Sequence, residues 1–216
     1  MKVSYFETGH YRPPRPLPAG WPLPPAEYDS GAGADAYRGM VERLRLVEQL
    51  GFDWISVAEH HYSHRRVTPT PAIVAAHLAA HSTRITIAVL GPIVSHINPV
   101  RIAEEMALLD NLLPGRPVVG LLRGTTGEYL SYGLNPNEAR ERTTEAMELI
   151  LKAWTEPQPF RPARKVFPVS RRRCLAASGH RPASADLCAR HQPGILRVRG
   201  APPAWPWAVL CIVSCH

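Results

Sequence analysis

Over the first 160 residues, short apolar runs alternate with longer stretches at helical spacing. Residues 2–6 alternate apolar and polar and predict a first strand. Residues 35–50 place Tyr37, Met40, Val41, Leu44, Val47 and Leu50 on one helical stripe, and Gly51 predicts the stop. Residues 53–58, rich in Trp, Ile and Val, predict a second strand. Thr68-Pro69-Thr70-Pro71 opens a helix over 72–81, with Pro71 where a missing N–H is harmless. Residues 84–90, RITIAVL, predict a third strand. Asn98-Pro99 starts a helix that Pro114-Gly115 ends, and residues 116–122, RPVVGLL, predict a fourth strand. Residues 123–136 read as a loop, and 137–154 as a long helix with Ala146, Leu149, Ile150 and Ala153 on one side. The seven prolines between 13 and 25 predict an irregular loop over a pocket.

Strand and helix alternate four times, which implies parallel strands joined by right-handed crossovers. An open dinucleotide-binding sheet would carry GxGxxG after its first strand, and none is present. Polar clusters follow several successive strands instead, which favours a barrel. A complete eight-stranded barrel takes ~250 residues. The expected fold class is therefore α/β, a partial TIM (β/α)8 barrel of about four βα units with an irregular C-terminal tail.

Charge divides the chain at the same place. The net charge is +7, yet residues 1–160 carry 15 Lys and Arg against 17 Asp and Glu, a net of −2. Residues 161–216 carry 10 against 1, a net of +9, and hold all four cysteines, Cys174, Cys188, Cys211 and Cys215. The expected division is a barrel half over 1–160 and a basic, cysteine-bearing tail over 161–216. With the ordered-looking half slightly acidic, no nucleic-acid partner is expected. No run is long and apolar enough to cross a membrane, and the N-terminus has no apolar signal core. No membrane association and a cytoplasmic location are the expectations.

The chemistry-bearing residues cluster after the second strand, in Glu59-His60-His61 with His64 nearby. Histidine and carboxylate suit zinc or iron, but neighbours along a strand point to opposite faces, which works against a shared ion. The other reading gives His60 a pocket role, as hydrogen-bond donor or general acid or base. His61 is expected to pack at the rim. His77 and His81 lack the Glu of a zinc-protease helix and read as surface residues. Arg123, followed by Gly124, ends the fourth strand; it suits either a bidentate clamp on an anion or a rim ion pair, with Glu128 a partner for the latter. Leu90-Gly91-Pro92 is a backbone feature, an ordinary turn or a site element.

Several motifs, in this order and spacing, resemble the bacterial luciferase-like flavin monooxygenases. They are SVAEHHY at 56–62, TPTPAIVAAHLAAHSTRITIAV at 68–89, NPVRIAEEMALLDNL at 98–112, GR at 115–116 and LLRGTTGEYLSYG at 121–133. The resemblance covers roughly residues 1–160. It implies reduced FMN, from a separate flavin reductase, bound at the C-terminal mouth of the barrel. There it reacts with dioxygen and oxygenates a small organic substrate; a deazaflavin is the alternative cofactor. It implies that His60 is the active-site histidine, with Glu59 beside it. Arg123 falls near the flavin phosphate and Thr125 in the adjoining flavin-contacting loop. Leu90 and Gly91 fall where the family has a strained, often cis, peptide against the flavin ring. No metal is implied. A homo- or heterodimer is the expected assembly.

After Phe160 the pattern breaks. One reading of residues 161–216 is a disordered basic tail, a second a nucleic-acid arm. The reading preferred here is a frameshift. Trp205 before Pro206 and Trp207 before Ala208 each force glycine one nucleotide out of phase, giving the G-x-G of a barrel strand end. The chain is then expected to be a truncated, impaired copy, weakly stable and weak in FMN binding. The alternative is a non-catalytic fragment or subunit that pairs with an intact homologue.

Overall fold

β-branched residues at alternate positions build the sheet, and the helices between its strands cover one face. In the computed structural model the described residues are 3–20, 23–63, 65–156, 158, 160, 166 and 167, with backbone alone at 186–187 and 198–199. Strands β1 (Ser4–Glu7), β2 (Trp54–Val57), β3 (Thr86–Ile93) and β4 (Pro117–Leu122) are all parallel and lie in chain order. Helices α1 (Ser30–Gln49), α2 (Pro71–Ala79), α3 (Pro99–Leu112), α4 (Thr126–Ser131) and α5 (Ala139–Thr155) alternate with them. Sequential parallel strands with helical crossovers are half of a (β/α)8 barrel. A two-residue antiparallel pair, β5 (Asp186–Leu187) and β6 (Val198–Arg199), forms a separate ladder in the segment that the sequence marks as irregular.

One hydrophobic core holds the helices to the sheet. Ile55 and Val57 of β2, Ile87 and Val89 of β3, and Val119 and Leu121 of β4 meet Met40 and Leu44 of α1, Leu78 of α2, Ile102 and Met106 of α3, and Ile150 of α5. Each fully buried aliphatic side chain here contributes about 2 kcal/mol relative to exposure. The other face of the sheet follows the register Phe6, Ser56, Ala88, Val118. Its small residues include a hydrogen-bonded pair, Ser4 Oγ and Ser56 Oγ at 2.6 Å.

Capping sets the helix ends. Asp29 accepts the Ala32 N–H at 2.7 Å and starts α1 at Ser30, five residues before the expected start at residue 35. Gly51, at φ +85°, ends it as the sequence predicts: Phe52 N–H reaches Val47 O and Gly51 N–H reaches Glu48 O, the paired bonds of a Schellman turn. Asn98 caps α3 through Val100 N–H at 3.0 Å, with Pro99 in its first turn.

Three expectations change. The first strand lies at Ser4–Glu7 rather than 2–6, which brings Glu7 into the ladder opposite Val57. The third runs on to Ile93, through Gly91 and Pro92, because its pairing with β4 resumes at Ile93 and Leu122 after a register shift. The segment 123–136, expected as loop, contains α4. Glu128 accepts both the Thr125 N–H and the Thr125 hydroxyl at 2.8 Å, and Tyr129 is buried. The cap and the buried ring hold a helix too short to show a hydrophobic period.

Candidate active site

The polar clusters gather at the C-terminal ends of the strands. Glu7, 1% exposed at the end of β1, accepts from Arg43 Nε at 2.7 Å, Arg43 Nη2 at 3.1 Å and Gly9 N–H at 2.9 Å. Glu59 follows β2 by two residues and is also buried. Its Oε2 accepts the Ile93 N–H at 3.0 Å, and its Oε1 lies 2.5 Å from His61 Nε2. A carboxylate accepts, so His61 carries a proton on Nε2. The Tyr132 hydroxyl lies 3.0 Å from His61 Nδ1 and 3.3 Å from its Nε2.

His60 turns to a different partner. Its backbone N–H donates to Thr68 O at 3.0 Å, and its Nε2 accepts from Arg66 Nη1 at 2.8 Å. Burial first, and the Arg66 charge second, lower its pKa and favour the neutral ring. The Glu59-His60-His61 triplet thus divides, with Glu59 and His61 in one hydrogen-bonded unit and His60 in another. Among the described residues no group of three or more His, Cys, Asp and Glu could hold a metal ion. His64 lies outside the described residues. The rings of His77 and His81 pack edge to face at 5.1 Å on the far side of α2 and its end.

The Leu90–Gly91 peptide bond is cis. Here β3 and β4 approach so closely that a Cβ on Gly91 would lie 1.5 Å from Gly120 O. Gly124, at φ +85°, packs against Ile93 and His96; a Cβ there would lie 2.6 Å from Ile93 Cγ2. Arg123 is half-buried, and its carbonyl accepts the Ser95 hydroxyl at 2.7 Å. Ser95 O in turn accepts from Arg142 Nε at 2.8 Å, so α5 is tied to the β3–α3 turn and to the end of β4. Thr125 spends both of its donors on Glu128, which fixes the start of α4.

Three residues join the site that the sequence reading did not single out. His96, after β3, stacks on Tyr132 at 5.1 Å and 21° and meets Tyr129 edge to face at 4.5 Å. Both of its ring nitrogens are buried without a partner among the described residues, and so is the Tyr129 hydroxyl. Burial pushes the His96 pKa down from the usual 6.5 to about 4, so the ring is neutral near pH 7. A histidine in a βα turn of a barrel is itself a signal. The two tyrosines carry none, because α4 is too short to show a hydrophobic period.

The profile of the family described as luciferase-like monooxygenase matches residues 19–204, running past the compositional break near Phe160. The alkanal monooxygenase beta chain of Vibrio harveyi is 36% identical over 117 residues, 54% of this chain and 36% of that protein. The stretches aligned to curated relatives cover about a third of those relatives' lengths. Among solved structures, the FMN complex of the oxygenating constituent of 3,6-diketocamphane monooxygenase from Pseudomonas putida matches with a TM-score of 0.61 at 17% identity. That match covers 78% of this chain and 44% of the other. An F420-dependent secondary alcohol dehydrogenase, in complex with an F420-acetone adduct, matches with a TM-score of 0.58 at 17% identity, over 81% and 48%. The structural matches identify the fold as part of the same barrel. With its profile met over most of the chain, and on a barrel half of the same shape, this protein belongs to the luciferase-like monooxygenase family.

Proposed function

We propose that the chain carries the flavin-binding half of a monooxygenase that uses reduced FMN and dioxygen on a small organic substrate. The observation that carries the reading is a placement within a chain of this family. Glu59, His60 and His61 after β2, the Leu90–Gly91 peptide in β3, and Arg123 to Thr125 after β4 all lie at the C-terminal ends of adjacent parallel strands. In barrels that end builds the active site. The buried, unpartnered nitrogens of His96 and the Tyr129 hydroxyl fit a group with several hydrogen-bonding atoms, as a flavin is. The FMN complex among the structural matches supports FMN; the F420-dependent match keeps a deazaflavin as the variant cofactor.

When bound, the flavin supplies the electrons that activate dioxygen. The chain's own residues bind and orient. Arg123 holds the phosphate, a planar donor fork against an anion. Thr125 fixes the turn beside it. Leu90 and Gly91 present backbone to the ring. His60, neutral and half-buried, moves a proton at Nε2 once its bond from Arg66 is released. Glu59 has both oxygens engaged inside the protein, so it acts by holding His61 and β3 in place. The reductant comes from a separate flavin reductase, and the protein works in the cytoplasm, without a nucleic-acid or membrane partner.

The division at residue 160 belongs to the same proposal. The abrupt change from net −2 to net +9, and the glycines recovered by a one-base shift at Trp205 and Trp207, support a frame change over residues 161–216. Such a frame change would replace the residues of the later strands, and the chain would then hold FMN weakly. A second reading, a subunit that pairs with an intact homologue, is favoured by Ile73 on α2 and by Leu108 and Leu112 on α3. All three are large, apolar and at least 59% exposed.

Titration of the full chain with FMN, followed by flavin fluorescence, tests the reading. Weak binding that Arg123→Ala abolishes is the expected result. A tight stoichiometric complex would overturn the impairment, and no binding at all would overturn the flavin role. Sequencing of the DNA across codons 155–216 tests the frame.

A further inference from the structure

The loop after β1 is fastened down on both sides of Tyr11. His10 pairs with Arg66 in an antiparallel bridge, flanked by bonds from Tyr11 N–H to Arg65 O at 2.9 Å and from Val67 N–H to Gly9 O at 3.0 Å. Tyr11 is buried. Its ring stacks on Tyr28 at 5.4 Å, and its hydroxyl accepts the N–H of Asp29, the cap of α1, at 2.9 Å. Along extended backbone, residues two apart share a side. With Tyr11 as the anchor, His10 and Arg12 both line a cavity of about 400 Å³ between this loop and α1. Helix α1 supplies the opposite wall, from Ala32, Asp35, Ala36 and Arg43. The volume falls in the range of small-molecule sites.

This cavity is separate from the residues placed around the flavin. Glu7 stands opposite Val57 in the ladder, and Val57 lies in the core between sheet and helices. Arg43 reaches Glu7 from α1, so the cavity sits on the helix side of β1. The Leu90–Gly91 peptide and Arg123 belong to β3 and the end of β4, toward the other edge of the sheet. The wall charges leave a surplus cation. Arg43 Nε and Nη2 are matched by Glu7, with Nη1 outside that pair. Asp35 is matched by Arg38 on the same helix. Arg12 is exposed and makes no hydrogen bond or ion pair among the described residues.

We propose that this cavity binds a small organic oxyanion, a carboxylate or a phosphate monoester, with Arg12 as its principal contact. The free guanidinium offers a planar fork to two oxygens of the head group. The His10 ring adds a donor in either tautomer, and Arg43, fixed by Glu7, supplies a further donor on the α1 wall. The methyl groups of Ala32 and Ala36, one helical turn apart, give the body of the ligand an apolar floor. Asp35 on the same wall repels a second negative group, so the site selects a ligand with one anionic head over a polyanion. Binding changes hydrogen bonds and ion pairs only.

Benzoate, phenyl phosphate and benzyl alcohol share a ring and differ in the head group. Their affinities for the flavin-free full chain are compared by ligand-line broadening in NMR at about 0.15 M salt, where distant surface charges are screened. No flavin enters, so a failed FMN titration leaves this test intact. The expected result is that at least one anion binds about tenfold or more tightly than the alcohol, and the tighter anion identifies the head group. Arg12→Gln should lose about tenfold or more of that affinity. Ala32→Leu, which fills the floor, should lose it as well. Arg15→Gln removes a cation that pairs with Glu27 outside the cavity, and it should bind like the parent. Circular dichroism checks that each variant is folded; Arg12 and Ala32 both lie outside the buried core. The proposal is overturned if the alcohol binds as well as the anions or if neither anion binds. It is overturned equally if the affinity survives Arg12→Gln, or if Arg15→Gln loses as much, which would mark general charge attraction.

Discussion

Glu59 and Ile93 tie two neighbouring strand ends together: the Glu59 carboxylate accepts the Ile93 backbone N–H at 3.0 Å, from two residues beyond β2 to the last residue of β3. The same carboxylate orients His61. Its two oxygens thus serve structure and site at once.

Glu59→Gln should therefore cost about 1–3 kcal/mol, because the amide cannot serve both donors and leaves a buried group unsatisfied. Urea unfolding followed by circular dichroism measures it. A variant as stable as the parent would mean that the two bonds carry no net energy.

His96 makes stability depend on pH. Its folded-state pKa, about 4, lies below the ordinary 6.5, so below pH 6.5 the unfolded chain binds more protons than the folded one. Its contribution is fully present above about pH 6.5 and is lost as the pH falls toward 4. His60 is shifted the same way, by burial and then by Arg66. His96→Phe should flatten the fall in Tm across that window without removing it. An unchanged slope would show that His96 is not buried as a neutral ring.

The Glu7–Arg43 pair joins the end of β1 to α1. Glu7 is buried and Arg43 is partly exposed, with 37% of its side chain in contact with solvent. Arg43→Ala strands a buried carboxylate. The expected loss is about 2–3 kcal/mol, reduced from that of a fully buried pair by solvent access to the arginine. Glu7→Gln in the same chain should recover part of it. Chemical denaturation of the single and double variants reads the coupling.

Two glycines should respond oppositely to alanine. At Gly91 the new Cβ would collide with Gly120 O at 1.5 Å, backbone that β3 and β4 pairing holds in place. Gly91→Ala should fail to give soluble, folded protein. At Gly127, inside α4, nothing lies within 4 Å of the added carbon. Gly127→Ala should stabilise α4 by about 0.5–1 kcal/mol through helix propensity. Expression yield and thermal melts distinguish the two.

Much of this protein is written locally. The stripe Met40, Leu44, Val47, the strand cores around Ile55, Ile87 and Val119, the Gly51 stop and the Asn98-Pro99 start all came from neighbours within a few positions. Helix and strand periods, caps and turns are short-range physics, so the α/β alternation and the barrel-half class followed from the chain alone. Sequence also brought Glu59, His60, Leu90, Gly91, Arg123 and Thr125 to the strand ends. What it left open was which of them meet. Strand order and register carry His61, His96 and Tyr132 from three separate βα turns into one stack, and His60 away to Arg66. Helix α4, too short to show a period, was decided by its Glu128 cap and by the burial of Tyr129. Contacts between distant turns depend on how strands pair, and pairing is settled only when the whole sheet closes its core.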